Sequence, residues 1–498
     1  SVESDNSNMT ISYCTFQGNS ARYGGGLRVD NSNHGMVLTA CTFFINTADY
    51  GGGMFVDFTN DNITFSACTF SKNIAKNDGG GLMVDTSNNF MTMSFCNFTG
   101  NAVTSPLNNG GGMYVDINNF DMILTNCIFA ENGGHNGAGL CVDDANDRMT
   151  ISSCSFSNNT AGNDGGGLCV KNRNVVMALT LCTFSGNSAE SDGGGIAING
   201  NNDDFSLTFC EFTENMAEAG GALRVATSNH DMTLTACNFV GNIAIKEGGG
   251  VFVNSLNDRM SLNSCIFTNN TAEYGGGLRF DDLNDDVSVS ECTFSGNRAN
   301  LGGGMHVFDK NDYMTITACH FSQNTAHYGG GGLHVERENN HMTLMSIKFS
   351  ENTAETATGG GGMLVDNENT HMNLTLCNFT ANTATDVFGV GGGMLVRSQN
   401  DHMALAACTF EDNMAYKDGG GFLVDSYNGN LTLTACNFSG NIAESYGGGL
   451  MINSFNNDMT LTSCLFTGNN ATDVFSDGGG MFVNSDNDHM TLTACIFV

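Results

Sequence analysis

The chain has 498 residues, among them 65 Gly, 35 Phe and 19 Cys, with one Pro and no Trp. Its formal net charge is −34, so it repels polyanions, and this excludes nucleic acid and anionic membranes as partners. We also expect no membrane insertion, because the sequence contains no apolar run long enough to span a bilayer.

A repeat of 27 to 31 residues runs through the whole chain. Seventeen Cys occupy the same position in successive repeats, and Ile347 occupies it in one more, which gives eighteen repeats. Within a repeat, Phe follows Cys after two residues and Asn follows Phe after three, as in Cys41, Phe43 and Asn46. A Gly-rich triplet and a second Asn complete the pattern. The sequence therefore predicts a single continuous domain over residues 1–498.

Three short segments of each repeat alternate as β-strands do, in the order M-V-L, A-C-T-F and M-F-V in the repeat 36–62. The invariant side chains are predicted to face inward, and the variable ones, such as Val37, Thr42 and Phe55, outward. The first half of the repeat also fits a leucine-rich repeat. Its second half does not, because Gly, Asn, Asp and Ser are poor helix formers.

The sequence therefore predicts an all-β parallel β-helix of about 18 coils with three short strands per coil. Because neighbouring strands lie about 4.8 Å apart, the coils would form a rod on the order of 85 Å long. Each invariant position then becomes a column along the axis, with stacked Phe rings and linked Asn amides. The inward Cys column is expected to pack as small apolar side chains.

Two motifs resemble a known family. Phe212-x-x-Asn215 and Gly220-Gly221-Ala222-Leu223 are similar to the F-x-x-N and G-G-A-[ILV] repeats of chlamydial polymorphic outer membrane proteins, and the resemblance covers the whole chain. It implies a right-handed parallel β-helix that is secreted or displayed on the cell surface and takes part in adhesion. The Cys column is more regular than in that family.

The repeats are regular throughout, whereas a catalytic cleft needs coils that break the pattern. The sequence therefore favours an extracellular structural or adhesive rod that is not an enzyme and has no cofactor. Its expected partners are other copies of the chain, end to end, and a cell-surface or matrix protein or glycan. The alternative is a polysaccharide-acting β-helix enzyme, a lyase or hydrolase. A minor alternative is an ice-binding surface, based on outward Thr pairs such as Thr432 and Thr434.

A row of aspartates follows the last strand of five consecutive repeats. Their carboxylates are expected to repel one another at coil spacing unless a cation neutralises them, and Ca²⁺ prefers such oxygen ligands. The row is a predicted metal site, with solvated turn aspartates as the alternative. Its members are Asp30, Asp57, Asp85, Asp116 and Asp143.

Cys141 and Cys169 occupy the outward position of Gly-Leu-x-Val in consecutive repeats, which predicts a disulfide in an oxidising compartment. Two of the longer inserts share Thr-Asp-Val-Phe, so Phe388 and Phe475 are predicted partner-contact residues on loops.

Five histidines occupy outward positions in neighbouring repeats. They are His341, His371 and His402 at one position and His306 and His334 at another. Solvated side chains are favoured over a metal site, because no carboxylate accompanies them in the pattern.

The sequence begins within a strand, at Val2, and stops one residue after Phe497. Open strand edges at both ends would invite further strands to pair. We therefore expect these residues to be part of a longer solenoid or one subunit of a head-to-tail filament.

Overall fold

The computed structural model describes residues 1–474 and 476–498. The chain divides into two compact units, Ser1–Ile245 and Lys246–Val498, here called the N-terminal and C-terminal units. Each is an all-β parallel solenoid with nine positions in the Cys register, and the described residues form no α-helix. Within the described part of the chain, no helix is long and apolar enough to cross a membrane. The predicted fold class is confirmed, whereas the single continuous domain stays a prediction.

One coil of each unit illustrates the pattern. In the N-terminal unit its strands are Thr64–Ser66, Thr69–Ser71, Ile74–Ala75 and Leu82–Val84. In the C-terminal unit they are Ser288–Ser290, Thr293–Ser295, Arg298–Leu301 and Met305–Asp309. The first, second and fourth are the three predicted strands. The third is an additional short strand at the Asn-x-Ala step.

The strand after each Gly triplet, here called the glycine strand, carries the residues on which the functional argument depends. Its pairing keeps equivalent residues together, since Met83 is the register partner of both Phe55 and Tyr114. In the N-terminal unit the glycine strands are Leu27–Val29, Met54–Val56, Leu82–Val84, Met113–Val115, Leu140–Val142, Leu168–Val170, Ile196–Ile198 and Leu223–Val225. In the C-terminal unit they are Val251–Val253, Leu278–Phe280, Met305–Asp309, Leu333–Arg337, Met363–Val365, Met394–Val396, Phe422–Val424, Leu450–Ile452 and Met481–Val483.

Columns of identical side chains fill the interior of each unit. Phe70 stacks between Phe43 and Phe98, with ring centroids 4.7 Å apart on both sides. Apart from Cys14 and Cys495, the Cys column is buried, and the Cys68 thiol lies 3.5 Å from the carbonyl oxygen of Leu38 in the preceding coil. All 19 cysteines are free thiols, consistent with a packing role. Ile347 occupies the same buried position without a sulfur atom.

Two asparagine ladders satisfy backbone groups at the corners. Asn73 donates from Nδ2 to the carbonyl of Phe43 (2.9 Å) and to Oδ1 of Asn101 (3.0 Å), and its backbone N–H donates to the same Oδ1. In the second ladder, the N–H of Asn60 donates to Oδ1 of Asn88 at 2.8 Å. These side chains are fully buried, so the ladders supply partners that water supplies elsewhere.

The Gly triplets let neighbouring coils approach closely. Gly51 has a φ of 61°, in the left-handed region that favours glycine. Gly52 has an ordinary φ, but a Cβ atom there would lie 2.3 Å from the carbonyl oxygen of Gly80. The second glycine is therefore required by contact between coils rather than by its own backbone conformation.

Candidate functional site

The middle residue of each glycine strand points away from the interior columns, and together these residues form what we call the outer row. The sequence predicts that the outer row faces solvent. The structure corrects this, because Phe55 is 3% exposed and packs in a buried cluster with Met83, Tyr114, Cys141 and Cys169. Tyr23 and Tyr50, from the corners that precede the glycines, pack against the cluster. The corner segments therefore cover the outer row, which the alternation of the strand cannot reveal.

The outer row of the C-terminal unit changes from apolar to polar over three coils. Arg279, His306 and His334 are register partners, and all three are buried. The two imidazole rings stack with centroids 4.8 Å apart and an interplanar angle of 11°. The Arg279 guanidinium lies over the rings of Tyr274 and Phe308, 5.0 and 5.1 Å from their centroids.

A carboxylate accompanies each buried histidine. His306 Nε2 lies 3.0 Å from Glu336 Oε2, and His334 Nε2 lies 2.9 Å from Asp366 Oδ2. Arg397 Nη1 approaches the other oxygen of Asp366 at 2.8 Å. The sequence-based interpretation of His306 and His334 as solvated is therefore wrong. Each carboxylate belongs to the coil after its histidine, so only knowledge of the register brings them together.

Burial and neighbouring charges shift the protonation equilibria of this cluster. Burial lowers the pKa of His306 well below its ordinary value, and the neighbouring His334 and Arg279 lower it further. Burial raises the pKa of Glu336. The pKa of Asp366 is lowered, because burial raises it less than the His334 hydrogen bond and Arg397 lower it. Burial therefore favours the neutral form of His306.

Farther along the same outer row, two adjoining pockets of about 330 and 340 Å³ form what we call the outer groove. Its floor is Leu395, Leu423, Met451 and Phe482. One wall comes from the corner segments, with Thr358, Val390, Lys417, Asp418 and Tyr446. The other wall follows the ends of the glycine strands, with Arg397, Asp425, Asn453 and Asn484.

Two carboxylates of the groove have different surroundings. Asp418 is 7% exposed, and its Oδ1 accepts a hydrogen bond from the N–H of Tyr446 at 3.2 Å. Burial raises the pKa of Asp418. Asp425 Oδ1 accepts hydrogen bonds from the Ser426 N–H (2.9 Å) and from Asn453 Nδ2 (3.0 Å). Lys417 Nζ, 3.5 Å from the Oδ2 atom of Asp418, opposes this rise in pKa, whereas Asp425 accepts from two neutral donors.

The five predicted metal-binding aspartates lie in one row, since the glycine strands that precede them pair in register. Arg28 bonds to Asp57 and approaches Asp30, and Lys171 Nζ contacts Asp143 at 2.7 Å. Burial, and after it the neighbouring Asp85, raise the pKa of Asp116 to about 6. Basic side chains thus neutralise both ends of the row, and Ca²⁺ along it stays a prediction.

Cys141 and Cys169 are register partners and fully buried, and both thiols are free. Their disulfide stays a prediction for an oxidising compartment. Phe388 is 63% exposed on its loop, whereas Phe475 lies outside the described residues. The partner contact of these loops and the end-to-end association also stay predictions.

His341, His371 and His402 form an exposed stack with successive centroids 4.7 Å apart. Tyr313 extends it at 4.9 Å from His341. These three are solvated, as the sequence indicated. The Thr432 position pairs with Thr460 and Thr491 in register, and ice binding there stays a prediction.

Comparison with solved structures finds partial similarity to proteins of several functions. A periplasmic alginate epimerase, AlgG, is 9% identical, with a TM-score of 0.42 over 72% of this chain and 76% of the epimerase. The GH87 α-1,3-glucanase of Streptomyces thermodiastaticus is 10% identical, with a TM-score of 0.31 over 76% of this chain and 64% of the glucanase. PfbA, a surface adhesin of Streptococcus pneumoniae, is 7% identical, with a TM-score of 0.26 over 90% of this chain and 84% of the adhesin.

At these identities the likeness concerns the fold alone. The prediction that the chain is not an enzyme is nevertheless overturned, because an epimerase and a glucanase are among the proteins with similar structures. Curated protein sequences gave no match. The model of the right-handed β-helix region matches residues 1–173, 138–321 and 307–498, and so covers the whole sequence. The chain therefore belongs to the right-handed β-helix family.

Proposed function

We propose that the protein is an extracellular polysaccharide-acting β-helix that binds a glycan chain in the outer groove and hydrolyses it there. The groove carries this proposal, because it combines an apolar floor with polar walls that include two carboxylates in different surroundings. Leu423, Met451 and Phe482 offer a surface for the C–H faces of pyranose rings. Asp425, Asn453 and Asn484 offer hydrogen-bonding groups for hydroxyls.

The charge of the chain favours a neutral glycan. Within the groove, Arg397 and Lys417 stand against Asp418 and Asp425, so the local charge is balanced. The whole chain carries −34, which repels a polyuronate. Successive coils repeat at about 4.8 Å, close to the advance of one sugar in an extended chain. The groove thus presents similar groups to consecutive sugars of an uncharged polysaccharide.

Hydrolysis of a glycosidic bond requires one carboxyl group to protonate the leaving oxygen and a second carboxylate to activate water or attack the sugar. We assign the acid to Asp418, whose pKa is raised by burial. We assign the second role to Asp425, which lines the same pocket and accepts two hydrogen bonds. Water supplies the hydroxyl group of one product, and the proton from Asp418 completes the other.

Release of reducing ends from glucan, galactan and xylan, with polygalacturonate and alginate for comparison, tests this function. We expect activity on at least one neutral polymer, and a loss of about 100-fold or more in D418N and D425N with binding retained. D458N, at an exposed carboxylate outside the groove, serves as the control and should stay active. Binding of neutral glycans without turnover would overturn the hydrolytic step, and no binding would overturn the site.

A further inference from the structure

The outer row of the C-terminal unit has polar residues where an apolar side chain would suffice for packing. Phe252 precedes Arg279, His306 and His334 in register, and Leu364 follows them. Both flanking residues are buried, as are the three polar ones. Burial of polar groups costs free energy unless their hydrogen-bonding atoms are satisfied. Two adjacent histidines at this depth therefore call for a chemical role beyond packing.

The arrangement brings three metal-ligating side chains together. His306, His334 and Glu336 each offer one ligand atom, and these atoms lie within 4.8 Å of one another. His334 and Glu336 share the strand Leu333–Arg337, two residues apart, and therefore project on the same side of it. His306 comes from the paired strand of the preceding coil. Backbone pairing thus fixes all three Cα positions before any metal binds.

An independent observation concerns the second nitrogen of each ring. Nε2 of each histidine is engaged by a carboxylate, and a neutral imidazole that donates from one nitrogen accepts at the other. Nδ1 of His306 and Nδ1 of His334 are both buried, and neither has a hydrogen-bond partner in the part of the chain that the structure describes. Such atoms are rare in folded proteins, and a bound ion is one physical reason for them.

The surrounding groups match those of a metal site. Metal-binding histidines usually donate their remaining N–H to a carboxylate, as His334 does to Asp366. Asp366 in turn is fixed by Arg397 at 2.8 Å. The Glu336 side chain is 27% exposed, which leaves a route from solvent to the otherwise buried cluster. Imidazole together with carboxylate suits Zn²⁺ and its neighbours in the first transition row better than Ca²⁺ or Mg²⁺.

We infer that His306, His334 and Glu336 form a binding site for a divalent transition metal, for which Zn²⁺ is the fitting ion, with Asp366 as a positioning residue. The site stabilises the coils that contain it and does not depend on the proposed glycan hydrolysis. It is also distinct from the predicted Ca²⁺ row, which lies in the N-terminal unit.

The test is metal binding by the full chain, first stripped of metal and then titrated with Zn²⁺ and Co²⁺. We expect one high-affinity ion per chain. Bound Co²⁺ should absorb visible light in the manner typical of mixed nitrogen and oxygen ligands, and Zn²⁺ should raise the unfolding temperature. E336Q and H334Q should lose this ion. D366N should retain it with an affinity weakened roughly tenfold or more, as expected for a residue that orients a ligand.

The exposed histidine stack provides the matched control. A triple variant, H341Q/H371Q/H402Q, removes three stacked imidazoles of the same unit and should keep the high-affinity ion. If the triple variant loses the ion, or if the unaltered chain binds none, the proposal is wrong. Should H334Q fail to fold, E336Q decides the matter, because Glu336 is partly exposed and the substitution keeps its shape; unchanged binding in E336Q would overturn the ligand assignment.

Discussion

Asn215 directs two hydrogen bonds to a single atom, Oδ1 of Asn242 in the next coil. Its backbone N–H and its Nδ2 both lie 3.0 Å from that oxygen. The same Nδ2 also donates to the carbonyl of Phe184 in the preceding coil at 2.9 Å. One amide therefore connects three consecutive coils, and every one of its partners is buried.

Replacement of Asn215 by Asp should destabilise the N-terminal unit strongly. The carboxylate cannot donate to the Phe184 carbonyl or to Asn242, and it places an unpaired charge in the interior. We expect a loss of about 3–5 kcal/mol in the free energy of unfolding, measured by urea denaturation. Asn201→Asp, at an exposed corner, is the control and should change stability little. Equal effects of the two substitutions would contradict the ladder as a source of stability.

The Phe column gives a second prediction. Phe184 stacks on Phe156 at 4.7 Å and on Phe212 at 4.9 Å and is fully buried. Phe184→Ala should cost about 3–5 kcal/mol, because it leaves a cavity and interrupts the stack. Phe209 is 59% exposed, and Phe209→Ala should stay within about 0.5 kcal/mol of the parent chain. Thermal unfolding of the two variants side by side measures the difference.

Asp164 gives a prediction about pH. Burial, and after it the neighbouring Asp192, raise its pKa from 3.8 to about 6. The folded state therefore holds this proton more tightly than the unfolded chain does. The resulting stabilisation is fully present below pH 3.8 and is lost as the pH rises through about 6.

Asp164→Asn removes this titration. The gain in unfolding free energy of the variant over the parent chain should be larger at pH 8 than at pH 4. The difference between the two gains should be about 1 kcal/mol after allowance for solvent screening. Urea titrations at both pH values give the comparison. Glu190→Gln, an exposed carboxyl in the next coil, should show no such pH-dependent gain. A gain of the same size at both pH values would mean that the Asp164 carboxyl does not titrate as described.

Cys141 and Cys169 should form a disulfide when the protein folds under oxidising conditions, because they are register partners on paired strands. Closing a loop of this length should stabilise the chain by about 3 kcal/mol. Peptide mapping without reductant identifies the bond. Cys127 and Cys154, in the inward column of neighbouring coils, should remain reduced in the same map, and two free thiols at 141 and 169 would refute the pairing.

Ca²⁺ should raise the unfolding temperature if it occupies the aspartate row, since it would reduce repulsion among carboxylates such as Asp85 and Asp116. A chelator should reverse the effect. The double variant D85N/D116N should no longer respond. If neither Ca²⁺ nor chelator changes the stability, the predicted cation row is wrong. The aspartates would then serve as turn residues that accept hydrogen bonds locally, as Asp85 Oδ1 does from the Thr86 N–H at 2.8 Å.

Inward positions were predictable because stacking demands the same side chain in every coil. Phe70 and Asn73 are therefore visible as repeated letters in the sequence. The coverage of Phe55 was not predictable, since alternation tells which side of the strand a residue takes but not whether another segment lies over it. The burial of Phe55 depends on the tyrosines of the preceding corners, which are present in only some repeats.

The histidine cluster shows a second limit. His306 and His334 are recognisable from the sequence as neighbours in one row. Their carboxylate partners are not recognisable, because each lies in the coil after its histidine: Glu336 pairs with His306, and Asp366 pairs with His334. In the sequence, Glu336 stands two residues after His334, which is not its partner. A search for an outward His with an acidic residue two positions past the equivalent place in the next repeat would have found both pairs.

The corner before each Cys has a consequence for how such chains change over evolutionary time. Ala40 donates its N–H to Ser66, and Ala67 donates its N–H to Ser94, so both alanines occupy the same place in the same bonding pattern. Deletion of residues 41–67 would join Ala40 to Cys68 and keep every stacked position in register. A deletion of only part of a repeat would shift the register, so that unlike residues such as Phe and Asn would stack on one another. Unequal recombination between repeats can thus shorten or lengthen the gene by whole coils, and natural variants should differ in length by multiples of one repeat.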